Sequence, residues 1–100
     1  MSRFTRVLGT GSGLPARVMT NQELERLVDT SATWMRERTG IRQRYIAADD
    51  ETCVDLAERA ARAALDAAGV APSELDLIVV ATTTPDQTFP SSACLLQERL

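Results

Sequence analysis

Residues 50–81, DETCVDLAERAARAALDAAGVAPSELDLIVVA, decide the fold. Thr52 suits a helix N-cap with Asp55 three residues on, and Gly69 suits the far end, where a left-handed residue stops a helix. Between them, Cys53, Leu56, Ala57, Ala60, Ala64 and Ala68 share one face, while Asp55, Glu58, Arg59, Arg62 and Asp66 share the other. Asp55 with Arg59 and Glu58 with Arg62 have the i, i+4 spacing and order of favourable pairs, so the charged face reads as solvated surface. The alanine-rich face predicts close packing against a sheet or a partner helix. After a turn at Ala71–Glu74, the run Leu77 to Ala81 is continuously apolar and largely β-branched, which predicts a strand buried on both faces. A helix feeding such a strand indicates an α/β layered fold.

The same logic extends in both directions. Downstream, TTTPDQTFPSS forms the loop at the carboxyl end of the predicted strand, where open α/β sheets place their ligands, and Ser91 or Ser92 caps a further helix. Upstream, residues 3–8 read as a strand ending at GTGSGLP. Glycines 9, 11 and 13 suggest a dinucleotide fingerprint, but Leu14 stands where its third glycine belongs and Pro15 follows, so a strand-ending turn is the favoured reading. A helix is predicted from Asn21 as N-cap, with Leu24, Leu27 and Val28 as its apolar stripe. A second, short helix is predicted to start after Ser31 and end before Gly40, and IRQRYIA after it alternates as a strand.

Composition narrows the function classes. The 100 residues are 44% hydrophobic and 25% charged, a globular balance within one domain. No apolar run approaches the roughly 18–20 residues that span a bilayer, and the N-terminus lacks the apolar core of a secretion signal, so cytoplasmic placement is expected. All 11 basic residues are arginine and there is no histidine, which leaves no imidazole or amine side chain for proton transfer. Cys53 and Cys94 lack metal-ligand spacing and read as buried thiols; no metal is expected. A net charge of -3 and a pI near 4.8 oppose nucleic-acid binding.

Against that acidic background, TSATWMRERTGIRQR at 30–44 holds the only tryptophan and Arg36, Arg38, Arg42 and Arg44. If Ser31 caps the helix, Trp34 and Arg38 lie four residues apart on one face. Two readings stand side by side. The indole stacks on a base and the guanidinium pairs with phosphate, or Trp34 fills core and the arginines are solvated.

Together, GTGSGLP, TNQELERLVDTSATWMRERTGIRQRYIA, DETCVDLAERAARAALDAAGV and LDLIVVATTTPDQTFPSSACLLQERL resemble the amino-terminal part of β-ketoacyl-acyl carrier protein synthase III, with the segments in family order from Val7 to Leu100. The resemblance implies a thiolase-like layered α/β fold, of which residues 1–100 form the amino-terminal portion. It also implies a homodimer and an enzyme that starts type II fatty-acid synthesis by condensing a short acyl-CoA with malonyl-acyl carrier protein. No permanently bound cofactor is implied; a coenzyme A thioester is the substrate. In the family the tryptophan matching Trp34 stacks on the adenine of coenzyme A, the arginine matching Arg38 holds its phosphates, and the threonine matching Thr30 contacts the adenine. Phe89 matches a position at the end of the acyl pocket near the dimer interface, so it either shortens that pocket or packs at a subunit contact, and both can hold. The catalytic cysteine, histidine and asparagine are expected downstream, and Cys94 matches a structural cysteine. One departure is that the family usually carries acidic residues where Ala32 and Thr33 stand, which predicts a softer helix start beneath Trp34. A related condensing enzyme of specialised metabolism, and a short non-catalytic nucleotide- or partner-binding protein, are the alternatives.

Overall fold

In chain order the computed structural model has β1 (Arg17–Thr20), α1 (Asn21–Leu24), α2 (Ala32–Thr39), β2 (Gln43–Ile46), α3 (Cys53–Ala68), a 3-10 turn (Pro72–Glu74) and α4 (Ser92–Arg99). Residues 2–100 are described. They divide into two units, Leu14–Asp50 and the segment ending at Gly13 together with Glu51–Leu100.

The second unit is organised by α3. Its start is a reciprocal cap, in which Asp55 N–H donates to Thr52 Oγ1 at 3.2 Å and Thr52 N–H donates to Asp55 Oδ2 at 2.8 Å. Gly69 ends it at φ 66°. Alanine, the strongest helix former, holds seven of the helix's 16 positions, and because it is also small it lets another chain approach closely.

That other chain is the glycine segment. A Cβ on Gly9 would lie 2.6 Å from Ala64 O and 2.7 Å from Ala68 N; one on Gly11 would strike Ala60 O and Ala64 N, and one on Gly13 would strike Leu56 O and Ala60 N. Each glycine therefore sits over one i→i−4 hydrogen bond of α3, and successive glycines step toward the start of the helix. The spacing is geometric. Two residues of extended chain advance about 6.6 Å and four residues of helix about 6.0 Å, so every second residue of one meets every fourth of the other. The expectation of a strand-ending turn is corrected accordingly, because the glycines serve close packing along α3.

The opposite face of α3 carries α4, and here the predicted charge pairing changes partners. Arg62 does pair with Glu58 at 3.0 Å, but Arg59 reaches Glu51 at 2.6 Å and Asp55 is taken by Arg99 at 2.6 Å. Arg62 also donates to the Arg99 carbonyl at 2.6 Å. A guanidinium from another helix, whose Nη1 also meets Glu58 at 3.3 Å, takes Asp55 in place of the local i, i+4 partner. The Asp55 carboxyl titrates at about 2, below the ordinary 3.8, chiefly because the Thr52 backbone N–H donates to it and next because of Arg99.

No ladder forms at residues 3–8 or 77–81 among the described residues, where the only sheet is β1 with β2. Ile78 and Val80 are half-buried, whereas Leu77 and Val79 are 78% and 79% exposed, so one face of the apolar run is covered and the other is bare. The expected two-sided burial is not met within these residues, since a strand needs neighbours on both edges. Cys94 is exposed and Cys53 half-buried, which corrects the reading of both as buried thiols. Ser91 caps α4, accepting from Cys94 N at 3.3 Å.

The unit Leu14–Asp50 pairs β1 with β2 antiparallel, Arg17 opposite Ile46 and Thr20 opposite Gln43. Strand β2 lies within the predicted 41–47; β1 has no counterpart in the expectations. Thr20, not Asn21, caps α1, accepting from Glu23 N at 3.2 Å. Asn21 is instead buried, with its Nδ2 donating to Ile41 O at 2.7 Å and its backbone N to Arg42 O. Helix α1 lasts a single turn, and Leu27 and Val28 of the predicted stripe are exposed.

Candidate functional site

Helix α2 carries the indole. Ser31 Oγ accepts from Trp34 N at 3.1 Å, and Gly40 closes the helix at φ 73°, both where the sequence predicts them. Thr39 Oγ1 folds back to Met35 O at 2.6 Å and accepts from Ile41 N at 3.1 Å, fixing the turn into β2. Met35 is the residue that α2 buries. Trp34, next to it and a hundred degrees round the helix, is 54% exposed, so the core-filling reading fails in this unit.

Trp34, Thr30, Asp29 and Ser31 together line an open depression of about 510 Å³. Thr30 is half-buried, and its backbone N is tied to Val28 O at 2.9 Å. Arg38 stands outside that lining, one turn along the same helix face. Arg36 and Arg42 lie elsewhere, around a second depression with Asn21, Gln22, Ala32 and Thr33. No carboxylate among the described residues pairs with Arg36, Arg38, Arg42 or Arg44, which leaves four free guanidinium groups in a stretch that also exposes an indole.

The missing acidic residues at 32 and 33 have a substitute. Glu25, just beyond α1, places Oε2 2.7 Å from Ala32 N, so a carboxylate from outside the helix caps the first turn beneath Trp34. Ser31 and Glu25 thereby satisfy two of its amides, and negative charge reaches the positive end of the helix by another route. The softening expected from Ala32 and Thr33 is offset. Nothing in local spacing announces Glu25, which acts across the irregular segment between α1 and α2.

Phe89 belongs to the other unit. It is 86% exposed in the loop between Ala81 and α4, and its carbonyl accepts from Gln87 Nε2 at 3.1 Å. That loop is fastened to the start of α3 by Asp86, whose Oδ1 accepts from Val54 N at 3.2 Å, and by Cys53 Sγ against Thr82 Oγ1 at 3.7 Å. Asp86 is a second residue that the sequence reading passed over.

No protein-family model matches the chain. Its relatives are nonetheless clear. The chain is 62% identical over 97 residues to the β-ketoacyl-acyl carrier protein synthase III of Alkalilimnicola ehrlichii, covering 97% of this chain and 30% of that one. The crystal structure of 3-oxoacyl-acyl carrier protein synthase III from Aquifex aeolicus superimposes with a TM-score of 0.83 at 50% identity, covering 96% of this chain and 31% of that one. This chain matches the amino-terminal part of β-ketoacyl-acyl carrier protein synthases III. Its fold is the corresponding portion of their thiolase-like α/β architecture. The chain spans only about 30% of the length of the curated relatives it matches. The priming β-ketosynthase of the R1128 polyketide pathway is also similar, with a TM-score of 0.82 and 42% identity over 97% of this chain and 29% of that one. No helix among the described residues is long and apolar enough to cross a membrane.

Proposed function

We propose that residues 1–100 are the amino-terminal portion of a β-ketoacyl-acyl carrier protein synthase III, and that they form the mouth through which the nucleotide of an acyl-CoA donor is held. The observation that carries this reading is the exposed indole of Trp34 sharing a depression with Thr30, with the unpaired Arg38 one turn along, in a chain 62% identical to a synthase of that name. An exposed indole offers a face for the adenine, worth about 1–3 kcal/mol per stacked base. A guanidinium with no carboxylate partner is free to pair with phosphate oxygens in the bidentate manner.

The chemistry belongs to groups expected outside these residues. A cysteine thiolate attacks the thioester carbonyl of a short acyl-CoA and expels the coenzyme A thiolate. Malonyl-acyl carrier protein then loses carbon dioxide, and the carbanion attacks the acyl-enzyme, giving 3-oxoacyl-acyl carrier protein and freeing the cysteine. Donors aimed at the carbonyl oxygens stabilise the charge that develops. Residues 1–100 contribute binding, orientation and part of the layered scaffold. Phe89 closes the acyl pocket against long donors, at or near a contact between two subunits of a homodimer. The acyl carrier protein is the second partner and the cytoplasm the compartment.

A second reading has its own support, since the R1128 priming ketosynthase matches over a similar span. It would keep the acyl-CoA mouth and change the donor or the acceptor carrier protein. Intact-mass measurement on the full-length protein tests both. Incubation with acetyl-CoA adds one acetyl group, and prior alkylation of cysteine blocks it. Acylation by longer or branched donors in preference to acetyl-CoA selects the second reading, and no acylation by any donor rejects enzymatic function.

A further inference from the structure

The loop that carries Phe89 has few attachments of its own. Every residue from Ala81 to Pro90 is exposed, and Phe89, at 86% exposure, is not packed into place by its own ring. Its position is therefore inherited from the backbone on either side. On one side Ser91 caps α4; on the other, three residues back, Asp86 Oδ1 accepts the Val54 amide at 3.2 Å. Val54 is fully buried, so its N–H has no access to water, and Asp86 is its acceptor. The bond spans 32 residues and joins the loop to the first turn of α3, where a carboxylate is also favoured by the helix dipole. Thr52 caps the same turn locally, through the Asp55 amide, and its hydrogen bonds go to Asp55 and not to the loop.

We propose that Asp86 is the positioning residue for Phe89, and that through this anchor it sets the acyl chain length the protein accepts. The chain-length part rests on the pocket role proposed above for Phe89. Asp86 does not touch the donor; it holds the backbone that presents the ring.

The test uses full-length protein with Asp86→Ala, Asp86→Asn, Thr52→Ala, Phe89→Ala and the Asp86→Ala/Phe89→Ala double variant. Two quantities are read: hydrogen exchange at the Val54 amide, and the ratio of kcat/KM for butyryl-CoA to that for acetyl-CoA. Asp86→Ala speeds Val54 exchange at least tenfold and shifts the donor ratio at least fivefold, while Asp86→Asn, which keeps the accepting oxygen, stays within twofold on both. Thr52→Ala leaves the donor ratio within twofold, and adding Asp86→Ala to Phe89→Ala produces no further shift, because the residue through which Asp86 acts is gone. An unchanged donor ratio in Asp86→Ala, an equal shift in Thr52→Ala, or a shift that persists without Phe89 overturns the proposal. If wild-type protein accepts no acyl-CoA, the functional reading falls and takes the chain-length claim with it, and Val54 exchange alone decides whether Asp86 anchors the loop.

Discussion

Replacing Gly11 with alanine sets two effects of opposite sign against each other. In the unfolded chain a methyl group restricts the backbone, which stabilises the folded state by about 0.4–1 kcal/mol where the native conformation accepts it. Gly11 has no positive φ to forbid the substitution. The folded state decides the matter, because the added Cβ meets Ala60 O, Ala64 N at 2.5 Å and Ala63 Cβ at 2.8 Å, against an ordinary contact of 3.4 Å or more. Relief at Ala64 N alone requires about 0.9 Å of separation, from 2.5 to 3.4 Å. Two of the three obstructing atoms are the donor and acceptor of a helical hydrogen bond, so no rotamer change helps and the segment must lift from α3. Overpacking of this kind costs about 1–3 kcal/mol, and a backbone obstruction belongs at the upper end. The net expectation is a loss of about 2 kcal/mol, read as a lower urea midpoint with an unchanged slope. Adding Ala63→Gly does not restore it, since the backbone atoms remain. Gly40→Ala is the contrasting case: nothing lies within 4 Å of its Cβ, and its loss of about 1 kcal/mol comes from the left-handed φ alone. A Gly11→Ala protein as stable as wild type, or more so, would refute the packing of the glycine segment on α3.

Other consequences follow from single contacts. Asp86→Ala strands the buried Val54 N–H and should cost about 1–3 kcal/mol of stability, whereas Asp86→Asn should cost under half as much, by thermal unfolding. Glu25→Gln removes the charge that caps Ala32 N, worth about 0.3–1 kcal/mol, and should raise KM for acetyl-CoA about two- to fivefold by loosening the turn beneath Trp34. Folding lowers the Asp55 pKa from 3.8 to about 2, so its stabilisation is complete above the first value and lost as the pH falls through the second. Melting temperature between pH 4 and pH 2 should consequently fall less steeply in Asp55→Asn than in wild type.

What the sequence disclosed and what it withheld divide along range. Thr52 with Asp55, Ser31 with Gly40, Gly69 and Ser91 were all legible, because a cap is settled by residues within one turn. Partner choice was not. Asp55 has a suitably spaced Arg59 in sequence, yet Arg99 claims it from 44 residues away. Gly9, Gly11 and Gly13 were visible as a pattern, but alternate glycines serve a turn, a phosphate or a helix face equally well until α3 is placed beside them. For the candidate site, helical spacing put Trp34 and Arg38 on one face of α2, whereas Thr30 was named from resemblance alone; the structure sets Thr30 beside Trp34 and leaves Arg38 outside that depression. Glu25 and Asp86 were missed because each acts through irregular backbone, where no periodicity reports a side chain's target. The apolar run at 77–81 was read for burial on two faces, and only the face of Ile78 and Val80 is covered among the described residues.

The central claim is that Trp34 and Arg38 hold the nucleotide of the donor, and it is tested most directly by comparing acetyl-CoA with acetyl-pantetheine, which lacks the nucleotide. KM for each is measured in full-length wild type, Trp34→Ala and Arg38→Ala. The account predicts that each substitution raises KM for acetyl-CoA about tenfold, corresponding to roughly 1.4 kcal/mol, and leaves acetyl-pantetheine unaffected. Equal changes for both donors, or no change for either, would contradict it.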